Sequence, residues 1–391
     1  MSKMLIDIGS TYFKVSANDT ISHYFRNFNQ DIYDDLISKC GDTIKTFDKD
    51  DVYICSSANG GLSTLIIGAT ESFSLKFATN IAYNSGINII DSVLFQNIQD
   101  YPIPSDVIDV VIVVGGIDNV KNIFDDRLFS YLEKLNYQNI VYVGSNSQDD
   151  FLSKNIDDLK LLGNIINNKL QMEEDNLKEY LTNLYQEDIV GKEDIKHLYD
   201  LTSNQIYSTP YIVNKSLAHI GDTLDVVDPF IVVDIGGATT DIHYSKDLVD
   251  DNIITSNEYD RLVFKKLGVY KSRDSLVFSA KNNEFVYELL AHLNTTENML
   301  DEKNESSTKL LMQLSIFLVL YKVSHQHNKY LNIKLNSLNS IVFTGGITKV
   351  LSTEEMEDIV AFFYKKILDF HIFPQTVVDT NYSIWTIGME N

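Results

Sequence analysis

Asp7 stands in a strand-like run, Met4-Leu-Ile-Asp-Ile8, that leads straight into Gly9-Ser10-Thr11. Such a turn gathers backbone N–H groups and two hydroxyls around one point, and glycine lets a phosphate come close. A carboxylate beside it suits a hydrated Mg²⁺ held against that phosphate; a plain tight turn would read the same way. The run Asp234-Ile-Gly-Gly-Ala-Thr-Thr-Asp241 repeats the device more fully, because a buried strand from Phe230 to Ile235 ends in Gly236, Gly237, Ala238, Thr239 and Thr240 before a second carboxylate, Asp241. Lys14 lies on the strand leaving the first turn, where its ammonium either swings back to the phosphates or is ordinary surface charge. Near the end of the chain, Ser340-Ile-Val-Phe-Thr344 runs into Gly345-Gly346-Ile347-Thr348. A bare glycine pair there gives a flat base or ribose a surface to pack on, or serves a strand-to-helix turn that needs positive φ.

The elements that must hold these residues form two similar sets. Met4 to Ile8, Tyr12 to Ala17 and Ile21 to Asn27 read as a short meander opening on Asp7, and Phe230 to Ile235 followed by Asp241 to Tyr244 reads as a second one opening on Asp234. The two aspartates lie 227 positions apart (234 less 7), so each half of the chain supplies one strand–turn–strand device to a shared cleft. Between them, a helix-like segment from Thr64 to Ser85 and strand-like runs at Ile87 to Ile90, Val107 to Val114 and Asn139 to Val143 suggest a small parallel α/β insertion. Asp150 to Tyr207 reads as helical. Lys281 to Leu335 reads as mainly helical too, with Leu310, Leu311, Leu314, Phe317, Leu318 and Tyr321 at core-facing spacing, and an amphipathic helix is expected from Thr353.

At 391 residues the chain exceeds what one hydrophobic core normally fills, and 44% apolar residues with 20 phenylalanines and 22 tyrosines suffice to build several. A net charge of −23 without a Lys/Arg cluster argues against nucleic acid as a partner. No apolar stretch reaches the ~18 residues of a membrane span and no leader pattern precedes Met4, so no membrane is expected and a cytoplasmic location is. Cys40 and Cys55 lack the number and spacing of a disulfide framework or metal site, and His325 and His327 fall on different helix faces.

Two phosphate turns and a glycine pair, in that order, resemble the actin, sugar-kinase and heat-shock-chaperone ATPase superfamily. The resemblance implies an α/β fold with a duplicated ribonuclease H-like core. Cys55-Ser-Ser-Ala-Asn-Gly-Gly-Leu62, Val114-Gly-Gly-Ile-Asp-Asn119, Val141-Tyr-Val-Gly-Ser145 and the stretch from Thr209-Pro210 through Ala218 and Gly221-Asp222 to Asp241 are similar to the MutL (GlmL) family. These are accessory proteins of adenosylcobalamin-dependent glutamate mutase. The similarity covers most of 4–350, strongest around Asp234 and weakest over 150–204.

That resemblance implies a reactivating chaperone with weak ATPase activity, using ATP and Mg²⁺ to expel damaged cobalamin from a mutase or related aminomutase subunit. Asp7 and Asp234 would organise Mg²⁺. Gly9, Ser10, Thr11, Lys14 and the 236–240 turn would hold phosphates, and Gly345, Gly346 and Ile347 would form the adenosine turn. Asp241 would orient the attacking water or brace its own turn. The core would divide into 1–57 and 221–391, with the insertion at 58–150 and a helical segment at 151–220. The insertion lacks an Asp-x-His-x-x-Gly ligand motif, so it is expected to bind protein and not free cobalamin. Lys265-Lys266 stand where the family carries acidic residues before a Leu-Gly pair, and the Gly115-Gly116 loop has fewer glycines, which leaves slow hydrolysis or a pure binding switch open. A small-molecule kinase and an actin-like filament protein are the alternatives.

Overall fold

The computed structural model describes residues 3–390 apart from 10, 19, 58–61, 86, 105, 122, 192–196, 249–258, 265–266 and 326–332. Its first sheet is built from β1 (Met4–Ile8), β2 (Tyr12–Ala17), β3 (Thr20–Phe25) and β4 (Val52–Ser56). The inserted sheet follows with β5 (Ser63–Gly68), β6 (Asn88–Leu94), β7 (Ile108–Val114), β8 (Tyr137–Tyr142) and β9 (Lys160–Leu161). The chain then returns to the first sheet with β10 (Tyr207–Ser208) before β11 (Phe230–Ile235), β12 (Thr240–Ser245), β13 (Tyr259–Phe264), β14 (Ser340–Gly345) and β15 (Gln375–Val378) form the third.

The first and third sheets share one topology, β10-β4-β1-β2-β3 against β15-β14-β11-β12-β13. In each, a central strand pairs antiparallel with the hairpin strand that follows it and parallel with the strand on its other side. The register repeats as well: Asp7 faces Lys14 across its hairpin and Asp234 faces Asp241 across the other. Two strand-turn-strand units with the same cross-hairpin register therefore place their aspartates at equivalent points, as the duplicated Asp-Ile-Gly pattern predicts.

The inserted sheet is parallel throughout, in the order β6-β5-β7-β8-β9. That is the flavodoxin-like doubly wound order. The first part of the supposed helix from Thr64 is β5, because its Leu65-Ile66-Ile67 run lies at the sheet's centre, fully buried between β6 and β7. The helical part begins at Glu71 with a π-helical turn to Leu75, capped by the Thr70 side chain, and continues as the α-helix Lys76–Asn84. Likewise β9 lies within the stretch expected to be helical and adds an edge to this sheet.

Among the described residues, four apolar clusters hold the molecule together. One fills the second lobe around the helix Glu305–Ser324, which is buried on most sides. Another joins the first lobe to the inserted sheet, and a third covers that sheet's other face. The fourth draws Leu5, Cys55, Ile212, Val232, Val342 and Trp385 into a seam between the two lobes. The C-terminal helix Ser383–Glu390 belongs to that seam: Asp379 caps it and also accepts from Thr344 Oγ1 on β14 at 3.0 Å, while the helix packs on Thr209–Ser216 and β1. The helix Thr353–Ile367 starts where expected, with a reciprocal capping box between Ser352 and Glu355. Among the described residues no helix is long and apolar enough to cross a membrane.

Candidate functional site

The equivalent ends of β1 and β11 open on one cleft between the lobes. Asp7, Gly9, Thr11 and Lys14 line it from the first lobe; Asp234, Gly236, Gly237, Ala238, Thr239, Asp241, Gly345 and Gly346 line it from the second. Ser10 lies outside the described residues. Two expected contributors do not face the cleft. Thr240 is fully buried and its hydroxyl donates to the Leu267 carbonyl at 3.0 Å, so it braces the turn; Ile347 is packed in the second lobe's core.

Asp7 sits at the bottom, 1% exposed. Lys14 Nζ is 2.9 Å from its Oδ2 and Thr209 Oγ1 donates to its Oδ1 at 2.6 Å. Thr209 opens the helix Thr209–Ser216, so the Thr-Pro pair delivers a hydroxyl to the cleft as it starts a helix. Burial alone would strip the proton from Lys14, but the Asp7 and Asp234 carboxylates outweigh it and hold the ammonium well above the ordinary lysine range. Asp234 is affected in the opposite sense. Burial, opposed by Lys14 and Arg261 and reinforced by Asp241 and Asp7, pushes its carboxyl up to about 6.

Asp241 is held from two sides. Arg261 on β13 reaches its Oδ1 through Nε and Nη2, both at 3.0 Å, and Thr239 Oγ1 donates to its Oδ2 at 3.0 Å. The second turn is fastened by the segment after β13: Val269 and Tyr270 N–H groups donate to the Gly236 and Gly237 carbonyls at 3.2 and 2.9 Å, and Ser272 Oγ donates to the Ala238 carbonyl at 2.6 Å. Lys265-Lys266, on which slow hydrolysis hung, lie outside the described residues. Sequence reasoning passed over Arg261, Arg26 and Tyr382, whose positions follow only from strand pairing and from the C-terminal crossing. The Tyr382 ring lies 5.1 Å from Lys14 Nζ and 4.9 Å from Lys349 Nζ, with backbone φ of +53°.

Two carboxylates at matched strand ends make an all-oxygen donor set of the kind Mg²⁺ prefers. Lys14 already marks the place as one that attracts a cation. Among the described residues no group of three or more His, Cys, Asp or Glu side chains can hold a metal, so an ion here would keep waters and take its remaining ligands from a phosphate.

Behind Asp241, His243 on β12 is fully buried, with Nδ1 3.3 Å from Asn214 Oδ1. Burial, then the Arg261 charge, holds it well below the ordinary histidine value. A base whose folded pKa is depressed contributes stability that is present above its unfolded pKa near 6.5 and is lost as pH falls. Denaturation across pH 7.5 to 5 should therefore show the wild type losing up to ~1.4 kcal/mol per pH unit more than His243→Gln. Parallel pH profiles would remove His243 from this role.

A duplicated ribonuclease H-like core, with facing aspartates at paired glycine turns, is the architecture of the actin-like ATPase superfamily. Within it the chain belongs to the MutL protein family, whose model matches residues 3–313. Protein MutL of Clostridium tetanomorphum is 25% identical over 264 residues, which covers 61% of this chain and 57% of that protein, so the match spans little more than half of the relative's length. Among solved structures, the activator of 2-hydroxyisocaproyl-CoA dehydratase from Clostridium difficile with bound ADPNP is 11% identical, with a TM-score of 0.31 over 99% of this chain and 92% of that one. The ethanolamine utilization protein EutJ from Carboxydothermus hydrogenoformans is 10% identical, with a TM-score of 0.29 over 99% and 88%. At such scores the superfamily assignment rests on the strand order and register described above.

Proposed function

We propose that the cleft binds Mg-ATP and that the chain uses it as a reactivating chaperone for an adenosylcobalamin-dependent mutase, glutamate mutase or a related aminomutase. The observation that carries the nucleotide reading is the convergence of Asp7 and Asp234, from equivalent positions of two duplicated sheets, on one cleft that also holds Gly9, Gly236-Gly237 and Gly345-Gly346. Asp7 and Asp234 would hold hydrated Mg²⁺, the two glycine turns the phosphates, and Gly345-Gly346 the adenosine. Asp241, tied by Arg261 and Thr239, would brace the second turn.

The cleft encloses about 120 Å³, below the ~300–1,000 Å³ typical of ligand pockets, so a nucleotide enters only when the lobes part. Binding energy would then favour one lobe arrangement over another, and the partner would read the difference. Family membership supports a mutase as that partner, and the inserted sheet is the surface we assign to it. Its helix Lys76–Asn84 rests on β13, which carries the Arg261 that holds Asp241, so a change in the cleft has a direct path to it.

Calorimetric titration of Mg-ATP into the wild type and Asp234→Ala tests the first step. Micromolar binding by the wild type and at least about a hundredfold weakening in the variant, roughly 2.7 kcal/mol, is expected. Equal binding by both would place the nucleotide elsewhere. The second step is tested with a mutase carrying inactivated cobalamin: release that needs both this chain and ATP is expected, and release indifferent to ATP would overturn the chaperone reading.

A further inference from the structure

We propose that a groove on the second lobe, between the helices Glu305–Ser324 and Thr353–Ile367, is a binding site for a linear aliphatic polyamine. The site does not depend on the function proposed above; only its effect on nucleotide binding rests on that reading.

The groove holds about 520 Å³, inside the ~300–1,000 Å³ range of ligand pockets, and shares no lining residue with the interlobe cleft. Leu293, Met299 and Leu310 give it an apolar lining; the first two are partly buried against the core of the second lobe and the third belongs to it. Such a lining suits the methylene chain of a ligand. Thr295 and Gln313 also face the groove, and neither side chain makes a hydrogen bond with any described residue. Gln313 stands on a helix that is buried on most sides, so its amide offers an occupant an unspent donor and acceptor at the groove wall.

Charge decides the class of ligand. Glu354, Glu355 and Asp358 line the groove against one lysine, Lys309. Lys309 Nζ is 2.6 Å from Glu355 Oε1, and Glu355 Oε2 accepts from the Ser352 N–H at 3.0 Å, so the capping box holds that pair in place and its charges cancel. Glu354 meets no cation among the described residues, and Asp358 meets only the His292 imidazole, at 2.8 Å. Four residues apart on one helix, Glu354 and Asp358 share a face with their Cβ atoms roughly 5–6 Å apart. Two ammonium groups joined by a few methylenes span that separation. A linear polyamine thus meets both carboxylates while its chain lies on Leu293, Met299 and Leu310; an anion would be repelled. Both walls also reach the cleft, since the helix Glu305–Ser324 lends it Met312 and the helix Thr353–Ile367 follows the Gly345-Gly346 turn. A polyamine between them would bias the two elements that flank that turn and so change nucleotide affinity.

Spermidine is titrated calorimetrically into the wild type, Asp358→Asn and Thr295→Lys, with pentylamine and 1-pentanol as control ligands; unchanged denaturation midpoints report that both variants fold. One site is expected in the wild type. Binding should be about tenfold weaker for pentylamine and for Asp358→Asn, each of which lacks one charge-assisted contact, and lost in Thr295→Lys, whose own ammonium occupies the groove. Spermidine binding that neither substitution alters is diffuse attraction to a chain of net charge −23 and overturns the site, as does pentanol binding as tightly as spermidine, or no spermidine binding at all. Mg-ATP titrated with and without saturating spermidine then reads the coupling. A change of at least about fivefold in the wild type that is absent in Thr295→Lys is expected; no change, or the same change in both, removes the coupling. If the wild type binds no nucleotide, the function proposed above falls, and the spermidine titration still decides the site.

Discussion

Replacing Gly345 with alanine is expected to lower the unfolding free energy by at least ~3 kcal/mol and to abolish Mg-ATP binding, whereas Gly346→Ala should stay within ~0.5 kcal/mol of the wild type. The two neighbours differ in backbone and surroundings. Gly345 ends β14 at φ +87° and ψ −170°, a conformation open essentially only to glycine. A Cβ there would collide with Asp234 Oδ1 and lie 2.6 Å from the Ile235 carbonyl oxygen. Relief would have to come from Asp234, the cleft carboxylate, or from the parallel pairing of β11 with β14. At Gly346 a Cβ meets nothing within 4 Å, so alanine disturbs only what packs on the turn. Chemical denaturation of both variants, followed by nucleotide titration, separates these effects. If Gly345→Ala costs no more than Gly346→Ala, Asp234 is not confined as described.

Lys14→Ala is the second large effect. Without the ammonium, the Asp7 carboxylate at 1% exposure keeps, among the described residues, only the Thr209 hydroxyl and the weak donor Cys55 Sγ at 3.5 Å. An uncompensated buried charge of this kind costs ~3–5 kcal/mol. Lys14 has a folded pKa raised above its unfolded one, so its stabilisation is complete below about pH 10 and is lost only above it. The penalty at pH 7 is therefore the full one. Millimolar Mg²⁺ without nucleotide should restore part of the loss in Lys14→Ala and do little to the wild type, because an ion can then replace the missing ammonium between Asp7 and Asp234. A loss below ~1 kcal/mol, or one that Mg²⁺ leaves untouched, would mean that Lys14 is not the internal counter-ion of this site.

Much of this was legible in the chain because it depends on neighbours in sequence. A buried strand, an aspartate and a glycine turn occupy eight consecutive residues, and their repetition made the duplicated core readable before the sheets were known. β14 and the helix after it were equally plain, since Ser340 to Gly345 is uniformly buried and Ser352 caps the next helix. β5 was misread because Leu65-Ile66-Ile67 sits at the centre of a parallel sheet, buried on both faces, and so carries no alternation to distinguish it from a buried helix. Two-residue strands such as β9 and β10 exist only through their partners, so no local pattern announces them. The residues that surround the cleft from a distance were invisible for the same reason. Arg26 and Arg261 reach the turns through strand register, and nothing in their immediate sequence marks them. Thr240 and Ile347 show the converse error: each lies inside a binding-type motif, yet the first bonds to a carbonyl and the second fills the core.

The matched hairpins have one more consequence. Lys14 and Asp241 occupy the same place in the two copies, each opposite its aspartate, so the fold repeats while the charge changes sign. A scaffold with near two-fold likeness would by itself offer a linear polyanion two equivalent ways to lie down. Substituting a cation for an anion at one of the paired positions removes that degeneracy: Asp7 and Lys14 cancel on the first lobe, whereas Asp234 and Asp241 share the single Arg261 on the second and leave it negative, so the cleft acquires a direction. A guest with its charge at one end is thereby admitted in a single orientation.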